Sequence, residues 1–290
     1  MWGSSMCSNL PKEKYKSQFG IYVLTLIFSV LFHITTAHAG TTQNIGTNLP
    51  VDDQYGLVLE PTPTVNFRFL PSNAAMHQTE QFIEQSPVLE TIKQLSQKRF
   101  VFSPALNIVF GSDDGPLFDP VTNSIHIPYQ FVSETSQLFK KNGLFKTQRE
   151  VNQATEDALL HTLLHEIGHA YIADRAIPIL GKEEDSVDNF ATILLLNDIP
   201  RGDDIAINSA DLFALEDLDT DSFDDADFVS EHSLDLQRYY NILCLVYGSN
   251  PNRYQRIFDE LPVAERKQQK LRCPEYFTVI NQGWLHYLAE

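Results

Sequence analysis

One stretch constrains this chain more than any other: residues 159–172, Leu-Leu-His-Thr-Leu-Leu-His-Glu-Ile-Gly-His-Ala-Tyr-Ile. Leu159, Leu160, Leu163, Leu164, Ile167, Ala170 and Ile172 cover nearly every face of a helix, so that helix has to be buried. It nevertheless carries His161, His165, Glu166 and His169. A buried polar side chain without a partner costs roughly 1–3 kcal/mol. Whatever encloses this helix must therefore supply partners for its imidazoles and its carboxyl group.

The spacing says which partner suits. His165 and His169 are four residues apart, so both rings leave one helix face about 6 Å apart. Two ring nitrogens at that separation can bind one zinc ion, with Glu166 pointing to the side, within reach of a metal-bound water. His161 sits a turn earlier on nearly the same side, but about 12 Å along the axis from His169. It reads as a packing or supporting histidine, not a ligand.

A catalytic zinc takes three protein ligands and leaves a fourth position for water. Downstream, Pro178 and Gly181 break the first helix, and Glu183, Glu184 and Asp185 open a second, where acidic groups suit the positive end of the helix dipole. Its apolar stripe is Val187, Phe190, Ala191, Leu194 and Leu195, which turns Asp185 away but does not separate Glu183 from Glu184. The spacing Glu-x-x-x-Asp selects Glu184 as the third ligand. One turn later, Asp188 can accept the N–H of a liganding histidine and fix its tautomer.

His165-Glu-Ile-Gly-His169 followed by Glu184-Asp-Ser-Val-Asp188 resembles the gluzincin pattern of zinc metallopeptidases. More closely, the chain is similar to a bacterial family of metallopeptidase-like proteins catalogued as a domain of unknown function. That resemblance runs from about Val65 to the C-terminus. It includes Phe118–Tyr129, Leu180–Asp185 and Glu231–Cys244. It implies a compact zincin-like α+β fold, in which a small three-stranded sheet packs on the buried active-site helix and the C-terminal part is mainly helical. It also implies zinc on His165, His169 and Glu184, Glu166 as general base, and a peptide or protein substrate. A His or Tyr from the C-terminal part stabilises the oxyanion in such enzymes, which makes His232 or Tyr239 the candidate here. Arg238 joins them as substrate anchor or buried ion-pair partner. The short gap from His169 to Glu184 implies a smaller active-site subdomain than in the large thermolysin-like members.

At the N-terminus, Lys12, Lys14 and Lys16 precede an apolar run from Ile21 to Ile34, and Ala37-His-Ala39 follows. This reads as a secretory signal peptide over residues 1–39, with cleavage after Ala39 and a secreted or periplasmic product. The run is short for a membrane span, so no stable membrane insertion is expected after cleavage. Cleavage removes three lysines and Glu13, a net +2, and takes the formal charge from −17 to −19. Such an acidic chain is a poor partner for nucleic acid. Cys7 leaves with the signal segment, and the even pair Cys244 and Cys273 then reads as a disulfide. Both positions also fall within the family resemblance.

Residues 40–64 contain Pro50, Pro61 and Pro63 with little periodicity, and read as a mobile linker. Residues 65–290 form the metallopeptidase-like domain, with sheet and active-site helix in 65–174 and the helical part in 175–290. Val65–Phe69, Leu106–Phe110 and Ser124–Ile127 read as strands. Gluzincins hold substrate by strand addition to a sheet edge beside the zinc, and Ser124–Pro128 is the expected edge here. Gln78–Lys98 is helical with a break at Pro87. Phe131–Lys141 is helical, and Thr147 with Glu150 forms a capping box that opens the metal-motif helix, which runs to about Asp174. The acidic stretch 198–227 imitates the first ligands of a calcium loop at Asp217, Asp219 and Asp221. Its sixth and twelfth positions are Ser222 and Phe228, so it reads as a solvated acidic loop. Glu231–Tyr247 reads as a helix closed by Gly248, with His232, Leu236, Tyr239 and Leu243 on one side. The rival to an enzyme is a zinc-binding scaffold protein that keeps the fold without turnover. A zinc amidase acting on cell-wall peptides is a further alternative.

Overall fold

The structure, a computed structural model, describes residues 64–218, 222–223 and 225–288. The expected signal peptide and nearly all of the expected linker lie outside the described residues. Thr64, the last linker residue, already belongs to the sheet: its carbonyl accepts from the Leu106 N–H at 3.0 Å.

The fold is α+β. Strands β1 (Val65–Phe69), β2 (Leu106–Phe110), β3 (Leu117–Asp119) and β4 (Ser124–Ile127) form one sheet in the order β1-β2-β4-β3. β1, β2 and β4 run parallel, and β3 returns antiparallel on β4. Among the described residues the sheet therefore has four strands where three were expected. β3 was missed because it holds only three residues inside a segment rich in turn residues. The edge assignment changes with it. Ser124–Ile127 is flanked by strands on both sides, so the edge next to it is β3, which lies against the metal-motif helix. Burial of Ile108, Phe110, Ile125 and Ile127 fits parallel strands enclosed within a core.

Before β2 come α1 (His77–Glu84) and α2 (Val88–Lys98), broken at Pro87 as the sequence predicts. After β4, α3 (Tyr129–Asn142) ends on Gly143, whose φ of +62° suits a residue without a Cβ. α4 (Gln148–Arg175) opens with the expected capping box. The Thr147 hydroxyl accepts from the Glu150 N–H, and the Glu150 carboxylate accepts from the Thr147 N–H. Its 28 residues run through the centre of the molecule, and almost every side chain from Ala158 to Ile172 is buried.

α5 (Glu183–Asp198) and α6 (Gly202–Leu218) pack on α4, and α8 (Asp235–Ser249) packs on both of them, with the five-residue α7 (Asp225–Val229) leading into α8. α6 replaces the solvated loop expected over 202–218; Asp219 and Asp221 of the calcium-loop-like stretch lie outside the described residues. Asp203, Asp204, Glu216 and Asp217 lie in the end turns of α6 and Asp211 in the middle, while Ile205, Ala206, Ala210, Leu212, Phe213 and Ala214 are buried. α8 starts four residues later than predicted. The last helix, α9 (Val263–Leu288), continues through Cys273 and Pro274 as one element, and the Cys244–Cys273 disulfide ties it to α8. Among the described residues, no helix is long and apolar enough to cross a membrane.

Candidate metal centre

Gly168, inside the His165–His169 motif, decides how closely the second motif approaches. A Cβ there would sit 2.9 Å from the Val187 side chain and 3.1 Å from Phe190. Without it, α5 packs directly across α4 and brings its acidic first turns over the two imidazoles. Glu184 Oε2 lies 3.1 Å from His165 Nε2, and Glu184 Oε1 lies 3.4 Å from His169 Nε2. One ligand atom from each of His165, His169 and Glu184 falls within 4.8 Å of the other two.

Both rings are turned by carboxylates on their far side. His165 Nδ1–H donates to Asp188 Oδ1 at 2.7 Å, and His169 Nδ1–H donates to Glu183 Oε1 at 2.8 Å. With Nδ1 committed in this way, each Nε2 faces Glu184, the orientation that liganding histidines adopt. Glu183 is a role the sequence left unassigned. Periodicity put it beside Glu184 without saying what it does.

Asp188 is 2 % exposed and is held in turn by Arg238, whose Nε–H and terminal N–H donate to it at 2.7 and 2.9 Å. The guanidinium stacks over Phe213, 3.9 Å from the ring centre. Arg238 is thus a buried ion-pair partner, and the anchor role falls away. Burial disfavours the Asp188 charge, but Arg238 and then His165 outweigh it and hold the carboxyl well below its usual range. Burial likewise works against a charged His165. The hydrogen bond to Asp188, its charge and Glu184 win, raising the ring to about 9. Glu184 is partly buried, yet hydrogen bonds from three imidazoles hold it far below an ordinary carboxyl.

The third of those imidazoles is His232, whose Nε2 lies 2.8 Å from Glu184 Oε2. Its ring lies parallel to that of His165, with centroids 6.2 Å apart. Because α8 begins only at Asp235, His232 is on the preceding segment and does not share a helix face with Tyr239. Tyr239 instead sits in the core at 1 % exposure, its ring 4.8 Å from Tyr240. The two oxyanion candidates therefore part: His232 reaches the cluster, and Tyr239 is a side chain of the buried core. His161 is buried against Phe213, away from the convergence of the other two rings, and burial lowers it to about 4.

Glu166 is 5 % exposed. Burial raises its proton affinity, His165 and His169 oppose that, and Glu184 reinforces it. A carboxyl near two ligand imidazoles with a raised pKa is suited to take up and release a proton.

The donor set fits a divalent metal ion: two imidazole Nε2 atoms with fixed tautomers and one ionised carboxylate, converging from two helices. Fold and site together define a small α+β protein in which His165 and His169 of α4 and Glu184 of α5 form a group that could hold a metal ion. The family described as "Putative metallopeptidase" matches residues 70–288, and the chain belongs to it. Neither a curated protein nor a solved structure matches the chain.

Proposed function

We propose that the protein is a zinc-dependent peptidase of an exported compartment. The observation that carries the reading is the convergence of His165 Nε2, His169 Nε2 and Glu184 beside the buried Glu166. A purely structural metal site would not need that last carboxyl group. Zinc, when bound by these three residues, supplies a Lewis acid that acidifies water and polarises the scissile carbonyl.

The chain's own residues do the rest. Glu166 takes a proton from the attacking water on its carboxylate and passes it to the leaving nitrogen. Asp188 and Glu183 hold the Nδ1 protons of His165 and His169, so that both Nε2 lone pairs stay directed at the metal. His232 Nε2–H donates to the developing oxyanion. Its half-exposed ring, at 51 %, is open to an incoming substrate. The unpaired side of β3, beside α4, takes an extended substrate backbone by strand addition. Export is supported by the N-terminal pattern of basic residues, apolar run and Ala-x-Ala, and by the Cys244–Cys273 disulfide.

Purified Glu166→Gln protein tests the assignment. It should bind one zinc like the wild type and lose at least about a hundredfold in peptide hydrolysis, whereas His165→Ala should lose metal and activity together. Wild-type turnover by Glu166→Gln would remove the catalytic role.

A further inference from the structure

His232 lies on a segment between the short α7 and α8, and its side chain is half exposed. A residue so placed needs something to hold its backbone if its ring is to stay 2.8 Å from Glu184. Lys182 does this. Its Nζ donates to the carbonyl oxygens of Ser230 and His232, both at 3.1 Å. Lys182 is also the N-cap residue of α5, directly before Glu183 and Glu184. The same short stretch of chain therefore supplies the carboxylate that meets the His232 ring and the ammonium group that grips the His232 backbone.

We infer that Lys182 is a positioning residue, a clamp that ties the His232 segment to the start of α5 and so keeps the His232 imidazole over the metal centre. Lys182 does not touch the reacting atoms. Its ammonium group makes two charge-assisted hydrogen bonds to carbonyls of the segment. The His232 ring on Glu184 is a second tie between this segment and α5. That ring has to leave Glu184 whenever it turns to a substrate oxygen.

The kinetic part of this inference rests on the hydrolase reading; the structural part does not. Lys182→Met keeps the aliphatic stem and removes the donors, and Lys182→Arg keeps donors in place. In the metal-free full-length chain, amide hydrogen exchange at residues 230–234 should speed up in Lys182→Met, with α5 and the body of α8 unchanged, and return towards wild type in Lys182→Arg. In the zinc-loaded protein, Lys182→Met should lower kcat about ten- to a hundredfold with KM nearly unchanged. In a His232→Ala background it should add less than about a twofold loss, because the two residues act as one unit. Unchanged exchange at 230–234 in Lys182→Met would overturn the clamp, whatever the activity. Losses that multiply in the double variant would overturn its action through His232. A wild-type protein that hydrolyses no peptide would sink the hydrolase reading and leave the exchange result to judge the clamp.

Discussion

Asp188→Asn is the perturbation whose cost the structure sets most firmly. The carboxylate accepts from His165 Nδ1 and twice from Arg238, at 2.7, 2.7 and 2.9 Å, and is 2 % exposed. Asparagine keeps the shape, removes the charge and turns an NH2 group towards a guanidinium that only donates. Arg238 is 13 % exposed and cannot shed its proton. Removing one member of such a buried pair costs about 3–5 kcal/mol. For a domain of this size, that lowers Tm by roughly 6–20 °C. His165 also loses the acceptor that fixes its tautomer, which should weaken metal binding about 10- to 100-fold. The two effects separate in Asp188→Asn/Arg238→Met. Deleting both charges should restore most of the stability and none of the metal affinity. Thermal melts of the metal-free protein and zinc competition against a chromophoric chelator read the two quantities. If Asp188→Asn melted within about 2 °C of wild type and bound zinc equally well, the chain from Arg238 through Asp188 to His165 would carry neither load assigned to it.

Two further outcomes follow from the same geometry. Gly168→Ala places a methyl group 2.9 Å from Val187, so α5 must move away from α4. Overpacking should cost about 1–3 kcal/mol and weaken zinc binding by displacing Glu184; unaltered affinity would show that α5 tolerates the shift. In α6, Asp211 and Glu216 are pushed up to about 7, in each case mainly by burial, with Glu260 adding for Asp211 and Asp235 for Glu216 while Arg238 opposes the latter. Their ordinary values are 3.8 and 4.5. Between those values and 7 the folded chain holds protons that the unfolded chain has released. Their stabilisation is complete below the lower values and is lost as pH rises through 7. The buried His161, lowered to about 4, acts in the opposite sense below its ordinary value of 6.5 and is common to every variant compared. The urea midpoint should therefore fall less between pH 5 and pH 7.5 in Asp211→Asn/Glu216→Gln than in wild type. Equal falls in both proteins would refute the assignment.

Much of the site was legible because it is written in local spacing. Spacings of four positions, from His165 to His169 and from Glu184 to Asp188, fix shared helix faces before any tertiary contact is known. The capping box at Thr147 and Glu150 marked the start of α4 in the same way. Where partners come from distant segments, sequence gave less. Glu183 and Glu184 are neighbours in one helical turn, and only the crossing of α4 and α5 at Gly168 shows that the first serves His169 Nδ1 and the second faces both Nε2 atoms. His232 and Tyr239 looked equivalent until α8 was seen to begin at Asp235, which frees one and buries the other. Counting acids misreads α6, because five acids in seventeen residues say nothing about the apolar side chains set between them. β3 escaped notice because three residues are too few to show a period.

X-ray absorption at the zinc edge of the reconstituted wild-type protein tests the central claim most directly. The expected result is one zinc per chain with two imidazole nitrogens at about 2.0–2.1 Å and carboxylate oxygen at about 2.0–2.2 Å. The imidazole signal should be halved in His169→Ala. Failure to bind zinc stoichiometrically, or an imidazole signal indifferent to His169, would contradict it.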